Sequence, residues 1–319
     1  MLRPALTIGN LARTLFSLLL CTAVLTGCEG VRKAPGLLEV LVPPGPTELT
    51  VVTYNIRYGT ASDGENRWDN RRAMLVASIR RLAPDVLCLQ EALGFQIDYL
   101  QRELGMASLG VGRDDGRSAG EFSAILYRSD RLTAERQRTF WFSDTPEKPG
   151  SRSWGNSIPR ICTFAQFADP VTGRRFKVFN LHLDHQGEPS RNRSVELLAQ
   201  ATLDTRALGV PVIVAGDFNA TPESAALRYM RGEAGSASGA SEAASSPRLI
   251  DTLAAAGAVP PAAEAGTFHD FKGRTDGQRI DFILTDKVIE TSSAGIDRFS
   301  EAGRFPSDHF AVWAKLRLK

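Results

Sequence analysis

The stretch VPVIVAGDFNA, from Val210 to Ala220, is the most informative part of the chain. Its apolar half is typical of a buried β-strand, and Asp217 and Asn219 stand where that strand passes into a loop. Polar residues of the same kinds lie beside other apolar runs, and these are Asn55, Glu91, His182, Asp308 and His309. Acid, amide and imidazole groups gathered at strand ends, with no serine or cysteine placed as a nucleophile, suit a hard divalent metal ion and an activated water.

Strand-like runs alternate with helical stretches over only part of the chain, and elsewhere one strand follows another. The strand-like runs are 49–57, 85–91, 122–128, 161–168, 175–183, 210–217, 279–285, 288–296 and 310–318. Helical periodicity is found over 70–82, 95–104 and 191–208. This order favours an α/β (α+β) class, in which two mixed, mostly antiparallel β-sheets pack face to face with helices outside. The stretch 232–247, rich in Gly, Ala and Ser, is predicted to be a mobile insertion.

The first residues are predicted to be an export signal. Two arginines precede the apolar run LFSLLLCTAVL, which is too short to span a bilayer. The segment Leu25–Cys28 resembles the lipobox of bacterial lipoproteins, so residues 1–27 are predicted to be a lipoprotein signal peptide and Cys28 the lipidated residue. An ordinary cleaved signal or a short anchor are the alternatives. We expect a lipid-anchored protein of the bacterial cell envelope, with the periplasmic side of the outer membrane favoured, and a Pro/Gly-rich tether over 28–47.

The charge of the chain argues against a dedicated nucleic-acid-binding protein. The 319 residues carry a formal net charge of +2, and removal of residues 1–27 takes away two arginines and no acid, which lowers it to 0. Proteins that bind nucleic acid usually carry a basic excess. Nucleic acid is therefore possible but not favoured as a partner, and we expect a monomer. Cys88 and Cys162 lie in apolar strand-like runs and are predicted to be buried free thiols rather than a disulfide.

Six segments, taken in order, resemble the endonuclease/exonuclease/phosphatase superfamily. They are TYNIRYG with Asn55, LQEA with Glu91, NLHLDH with His182, GDFNA with Asp217 and Asn219, RIDFIL with Asp281, and SDHF with Asp308 and His309. The resemblance covers nearly all of residues 48–319, the predicted catalytic domain. It implies a four-layered α/β sandwich and divalent-metal-dependent hydrolysis of phosphoesters. The segments GENRWDNRR, HLDHQGEPSR and GTFHDF further resemble a bacterial branch with poorly defined substrates, apart from the abasic-site nucleases.

The resemblance also implies a metal site made of oxygen ligands. Glu91 is the candidate primary ligand, Asn55 would help to hold metal or phosphate, and Asp308 would bind the same ion or a second one. Mg²⁺ or Mn²⁺ is the expected cofactor, because such ions neutralise phosphoryl oxygens and stabilise a poor leaving group.

The remaining motif residues are the candidate catalytic groups. Asp281 is expected to fix the tautomer of His309 and to support its charge. Asp217 would orient or deprotonate the attacking water, and Asn219 would hold that water or a phosphoryl oxygen. Either Asp217 or His309 could take the proton. His182 would stabilise the developing charge or protonate the leaving oxygen. Direct attack by water is expected, without a covalent intermediate.

Candidate substrate contacts lie in less regular segments. They are Trp154 in the loop 142–160, Phe268 in GTFHDF, and Arg191 and His185. Each has a structural alternative: packing for the aromatic residues, an exposed helix start for Arg191, and a structural role for His185. The arginines Arg67, Arg71, Arg72, Arg80 and Arg81 are predicted to form a solvated helix face.

Four alternatives to a phosphoesterase of small molecules remain. The segment His182-Leu-Asp-His185 suggests a zinc site, but the chain has too few further histidines and cysteines to complete one. A non-catalytic surface-binding lipoprotein is the alternative of another class, and the complete set of motif residues counts against it. Among enzymes, small phosphoesters are the favoured substrates, ahead of lipid-headgroup phosphodiesters and of DNA or RNA.

Overall fold

Two six-stranded β-sheets pack face to face and carry helices on their outer surfaces. The computed structural model describes residues 45–239 and 245–319. The predicted signal peptide 1–27, Cys28 and most of the tether 28–47 lie outside these described residues. The predicted α/β sandwich of two mixed sheets is confirmed.

The strands of each sheet follow the same spatial plan. The first sheet runs in the order β11 (Ile289–Asp297), β12 (Ala311–Leu318), β1 (Thr47–Asn55), β2 (Val86–Ala92), β4 (Phe122–Tyr127) and β3 (Ala107–Leu109). The second runs in the order β5 (Thr133–Trp141), β6 (Ile161–Ala168), β7 (Arg175–His182), β8 (Val212–Asp217), β10 (Asp281–Thr285) and β9 (Ile250–Asp251). The central pairs β1–β2 and β7–β8 are parallel, and every other pair is antiparallel. The carboxyl ends of each parallel pair therefore lie together at one edge.

The helices begin and end where local signals place them. They are α1 (Trp68–Leu82), α2 (Gly94–Leu104), α3 (Glu188–Ala207), α4 (Ala225–Arg231) and α5 (Thr252–Ala255), with 3₁₀ turns at Gly64–Asn66 and Ala262–Glu264. Helix α1 ends at Ala83, which is left-handed and precedes a proline, and α2 ends at the left-handed Gly105. Among the described residues, no helix combines the length and apolarity needed to cross a membrane.

Both faces of each sheet are buried, so the strands bury residues on alternate sides. In β1, Leu49 and Val51 point to the core between the sheets, whereas Val52 and Tyr54 pack under α1 and α2. The outer face of the second sheet packs in the same way against α3 and α4. Four layers result, and the sheets cannot shift by one residue without exchanging these two apolar sets.

A polar tie crosses the apolar core between the sheets. The amide of Asn180 on β7 donates to the carbonyl oxygens of Leu89 (2.9 Å) and Ala124 (2.7 Å) in the opposite sheet. Gln90 on β2 donates to the side-chain oxygen of Asn180 at 2.7 Å and to the hydroxyl of Thr53 at 3.0 Å. Directional bonds of this kind hold the sheets in one relative position close to the strand ends.

The sequence did not predict the strands β3, β5 and β9. It also did not predict the contacts that the stretch 232–247 makes with α3. β3 and β9 are very short, and β5 reads TAERQRTFW because it is an edge strand with mostly exposed side chains. In the stretch 232–247, Ala237 is buried, and Glu196 of α3 accepts hydrogen bonds from the main chain of residues Ala237 and Ser238. Cys88 and Cys162 are buried free thiols, consistent with the prediction.

Candidate active site

The strand ends of both sheets open into one cleft of about 590 Å³. Four of its lining residues extend or end the central strands: Glu91 from the first sheet, and His182, Asp217 and Asn219 from the second. Asp308 and His309, which directly precede β12, complete the same wall. The other lining residues are Arg57, Tyr58, Arg113, Glu121, Ile158, Arg160, His185, Phe268, Asp270, Gln278 and Ile280.

Local backbone distortions aim the two central carboxylates. Glu91 has φ 60°, and the β2–β4 register shifts between Leu89 and Ala92, so Glu91 lies in a bulge that redirects its side chain. Gly216 precedes Asp217, and a Cβ there would overlap the carbonyl of Leu181 on β7. A glycine is therefore needed for β8 to approach β7 closely enough to deliver Asp217 to the cleft.

Asn55 joins the two carboxylates from behind the cleft. It is fully buried, and its Nδ2 donates to Glu91 Oε1 and to Asp217 Oδ2, both at 3.0 Å. Its Oδ1 accepts from the main-chain nitrogen of Arg57 at 3.1 Å. The sequence predicts Asn55 as a holder of metal or phosphate, and in the structure its amide is hydrogen-bonded to both acids and so orients them.

Asp217 is surrounded by the groups that handle protons. Its Oδ2 lies 3.6 Å from His182 Nε2 and 3.9 Å from His309 Nε2. His309 Nδ1 is hydrogen-bonded to Asp281 Oδ2 at 2.9 Å, and Asp281 is fully buried behind it. Asn219, which has φ 46°, donates its main-chain N–H to Asp217 Oδ1 at 2.8 Å. Asn219 Nδ2 also donates to the carbonyl of Leu183, which leaves its amide oxygen and one N–H for a ligand.

Burial and neighbouring charges separate the protonation states of these groups. Burial, followed by the negative charge of Asp281, raises the pKa of Asp217 to about 7. Burial alone would lower the pKa of His309, but the charge of Asp281 and its hydrogen bond, with Asp217 adding to them, raise it to about 10. Burial and the charges of Arg160 and Arg113 lower the pKa of His182 well below its usual value. At neutral pH, His309 is therefore cationic and His182 neutral.

The buried Arg71 fastens the loops that carry these residues. Its guanidinium donates to the carbonyl oxygens of Ile56 (2.7 Å), Pro306 (2.9 Å) and Arg57 (2.9 Å). It joins the loop after β1 to the loop before β12, so it is not part of a solvated helix face as the sequence suggested. Ser307 makes a second link between the same loops, because its hydroxyl donates to the carbonyl of Asn55 at 2.7 Å.

The acidic groups fit a divalent cation at Glu91 and Asp308. Both carboxylates line the cleft, and burial, with the charge of Glu91 adding to it, raises the pKa of Asp308 despite the opposing charges of His309 and Arg57. The described residues also contain a group of three possible ligands within 4.8 Å, formed by Asp217, Asp281 and His309. A cationic histidine has no free lone pair, so this second group suits proton handling better than metal binding. Oxygen ligands of this kind suit Mg²⁺ or Mn²⁺.

The structure brings most of the predicted site residues together, but not all of them. Glu91, His182, His185, Asp217, Asn219, Phe268, Asp308 and His309 line the cleft, and Asn55 and Asp281 support it from behind. Arg191 and Trp154 are not among the described residues that line it. Arg191 donates to the carbonyl of Asp184, and Trp154 donates to Asp144 and packs against the core between the second sheet and helices α3 and α4.

Sequence reasoning missed the cleft arginines Arg57, Arg113 and Arg160. Arg57 and Arg160 follow or precede a strand, which is the signal that identified the other residues. The sequence did not predict these arginines as site residues, because arginines are common at exposed strand ends.

The family model for endonucleases, exonucleases and phosphatases matches residues 52–309, a range that includes the motif residues from Asn55 to His309. The chain belongs to the endonuclease/exonuclease/phosphatase family. Members of this family are phosphoester hydrolases that typically use divalent metal ions, and the cleft carries acidic and histidine groups of the kind such ions need.

Family members of known structure resemble the chain over nearly its whole described length. A family protein of Bacteroides thetaiotaomicron shares 30% identity, with 86% of this chain and 99% of that one aligned and a TM-score of 0.75. The mannosyl-6-phosphatase of the same organism shares 30% identity over 84% of this chain and 99% of that one, with a TM-score of 0.73.

Curated relatives in the family match over a smaller part of their length. An uncharacterized protein of Acanthamoeba polyphaga mimivirus is 29% identical over 162 residues, which are 48% of this chain and 59% of the viral protein. The chain thus spans little more than half of that relative.

Proposed function

We propose that this chain is a divalent-metal-dependent phosphoester hydrolase that acts by direct attack of water, with small phosphomonoesters outside the cytoplasm as its substrates. The observation that carries the proposal is the convergence of two kinds of group in one cleft. The carboxylates of Glu91 and Asp308 both line the cleft, and Asp217 lies between the two histidines His182 and His309.

Once bound by Glu91 and Asp308, the metal ion would neutralise phosphoryl oxygens and stabilise the leaving oxygen. Asp217, with its pKa raised to about 7, takes the proton of the attacking water. His309 is already cationic and therefore clamps a phosphoryl oxygen instead of acting as the base. The neutral His182 donates a hydrogen bond to the reacting group, and Asn219 orients the water with its free amide oxygen.

The cleft rim supports a sugar phosphate as the substrate. Phe268 is 40% exposed, and its ring lies 5.1 Å from the ring of His309 in an edge-on contact. An exposed aromatic face beside the reacting centre suits the C–H face of a sugar, with Gln278 and Asp270 nearby to accept or donate hydrogen bonds. One relative of similar fold is a mannosyl-6-phosphatase, which agrees with this substrate class.

The proposed location rests on the sequence. The apolar run before Cys28 and the lipobox-like segment predict export and attachment to the bacterial envelope by lipid. An enzyme in that place would release phosphate from soluble phosphoesters before their uptake.

A second groove gives specific support to the nucleic-acid alternative. It measures about 520 Å³ and lies between α1 and α2. Phe95 and Tyr99 line it together with Arg67, Arg72 and Arg102, and Arg72 lies 5.3 Å from the ring of Tyr99. Exposed aromatic and basic side chains in one groove can stack bases and bind phosphates of a single strand.

The test is product release by the full chain, purified free of metal, with and without added Mg²⁺. The substrates are sugar phosphates, nucleotides, phospholipid-headgroup diesters, and single- and double-stranded DNA and RNA, and Glu91→Ala is the control. We expect Mg²⁺-dependent phosphate release from sugar phosphates, absent in the control. Preference for single-stranded RNA or DNA would favour the nuclease alternative. No release from any substrate would favour a surface-binding protein.

A further inference from the structure

Three arginines line the cleft, and they differ in how their charges are balanced. Arg57 donates to Asp63 through Nε at 3.1 Å and Nη2 at 2.9 Å. Arg113 donates to Glu121 through Nη1 at 2.7 Å and Nη2 at 2.8 Å. These two guanidiniums are each held by a paired carboxylate, so little of their charge is available to a ligand.

Among the described residues, Arg160 makes no hydrogen bond to a carboxylate and has only a longer ion pair with Asp184. Its side chain is only 3% exposed, and its Nε lies 3.5 Å from Asp184 Oδ1 without a hydrogen bond. Both of these atoms are buried and lack any hydrogen-bond partner. The other oxygen of Asp184 accepts the main-chain N–H groups of Gln186 and Gly187, so the carboxylate is held by its own loop. A buried guanidinium in this state is left with unused donors.

His185 adds a second donor beside Arg160. Its Nδ1 lies 2.7 Å from Arg160 Nη2, and because a guanidinium can only donate, Nδ1 must accept. The proton of the neutral ring is then on Nε2. The side chain is 48% exposed and lines the cleft, so this N–H is available to a ligand.

The pair lines the same cleft as the reacting centre. The positive charge of Arg160 contributes to the lowered pKa of His182. The negative charge of Asp217 acts to raise the pKa of Arg160. Arg160 and His182 also line a small recess of the same wall. Donors that line the same cleft as His182 and Asp217 can bind the phosphoryl oxygens of a substrate held there.

We propose that Arg160 and His185 form an anion clamp for the non-bridging oxygens of a phosphomonoester dianion, and that this clamp selects monoesters over diesters. The inference rests on the proposed phosphoester hydrolysis and adds the substrate class to it. A monoester dianion carries one more anionic oxygen than a diester. In a diester, an uncharged ester oxygen replaces that anionic oxygen. The ester oxygen cannot form an ion pair with a guanidinium.

The test compares two substrates with the same leaving group, p-nitrophenyl phosphate and methyl p-nitrophenyl phosphate, at saturating Mg²⁺. For Arg160→Met we expect kcat/KM for the monoester to fall by about 10- to 150-fold, the range expected for a hydrogen bond to a charged group. The value for the diester should fall by less than about threefold, because its phosphoryl group lacks the oxygen that the clamp binds. Arg152→Met, an exposed arginine of the same loop, is the matched control and should change neither value.

Removal of Arg160 alone leaves the buried Asp184 without its cation, so the double variant Arg160→Met with Asp184→Asn removes both charges. If the single variant does not fold, as judged by circular dichroism, the double variant takes its place. Equal losses on monoester and diester, or no loss on either, would overturn the clamp.

A binding measurement separates failure of the clamp from failure of the proposed function. Calorimetry with inorganic phosphate needs no turnover, and we expect the double variant in Mg²⁺ to bind phosphate at least about tenfold more weakly than the parent chain. If the parent chain hydrolyses neither substrate, the proposed function fails while this result still supports the clamp. Equal phosphate affinity in both proteins would overturn the clamp whatever the turnover.

Discussion

The two sheets have the same strand plan but carry different chemistry. In each, one central parallel pair is flanked on both sides by two antiparallel strands. The parallel pair of the first sheet ends in Asn55 and Glu91, and that of the second ends in His182 and Asp217. Topology thus sets where a functional side chain stands, and the residue at the strand end sets what it does.

The division is not complete, because two hydrogen bonds between residues of the site cross from one sheet to the other. His309 precedes β12 of the first sheet, yet its hydrogen-bond partner Asp281 begins β10 of the second. Asn55 crosses in the same direction to reach Asp217. The comparison therefore predicts a metal-binding half and a proton-handling half joined by two hydrogen bonds.

The largest expected effect separates these halves. Glu91→Ala should weaken Mn²⁺ binding by more than the roughly 10- to 100-fold that loss of an outer partner costs, and should remove turnover with it. Asp217→Asn should lower kcat by about 10²- to 10⁴-fold, the usual contribution of a positioned base, and keep Mn²⁺ affinity within about threefold. Calorimetric titration with Mn²⁺ and initial rates measure the two quantities.

Asp204→Asn on the exposed face of α3 is the control for both variants, and it should resemble the parent chain. Equal loss of Mn²⁺ binding in Glu91→Ala and Asp217→Asn would mean that residues of both sheets hold the metal. The division into a metal-binding half and a proton-handling half would then be wrong.

An intermediate effect is expected for the polar tie between the sheets. Asn180→Leu removes the side-chain hydrogen bonds to two buried carbonyl oxygens and to the amide of Gln90, so the free energy of unfolding should fall by about 2–4 kcal/mol. Urea-induced unfolding measures it. Gln166→Ala removes an exposed side-chain bond on neighbouring β6 and should cost less than about 0.5 kcal/mol. Similar costs for both variants would show that the tie adds no stability.

The smallest expected effect is a pH dependence located in the second sheet. The pKa of Asp217 is about 7 in the folded chain against 3.8 as its ordinary value, so the folded state holds this proton more tightly. The metal-free parent chain therefore loses stability as pH rises from about 4 to about 7, and Asp217→Asn does not. We expect the variant to gain about 1–3 kcal/mol over the parent between pH 5 and pH 8.

Melting temperatures in EDTA at the two pH values measure this gain. If the difference in melting temperature between variant and parent is the same at pH 5 and pH 8, the result contradicts the raised pKa of Asp217.

Residues at strand ends were accessible from the sequence, since an apolar run followed by a polar residue is a local pattern. Glu91 and Asp217 were identified in this way, whereas His309 comes before an apolar strand, and the cleft brings the three together. The two-sheet sandwich was accessible for the same reason, because strand-like runs too numerous for one sheet must divide into two.

Features that depend on residues far apart in the sequence could not be predicted from local sequence patterns. Arg71 reads as one more charge on an amphipathic helix, and only the folded chain shows the main-chain carbonyls that it binds. The strand β5 has a polar sequence because an edge strand needs no apolar outer face. Arg160 is marked out only by the missing carboxylate bond, which no local pattern reveals.

The strand order also has a consequence for biosynthesis. The second sheet is made of residues between 133 and 285, whereas β12, at 311–318, must insert between β11 and β1. Pairing of β1 with β12 joins segments far apart in the chain, and such pairing forms late and slowly. Asp308 and His309 immediately precede β12. A nascent or truncated chain can therefore assemble the second sheet and still remain catalytically silent until the last strand has been synthesised.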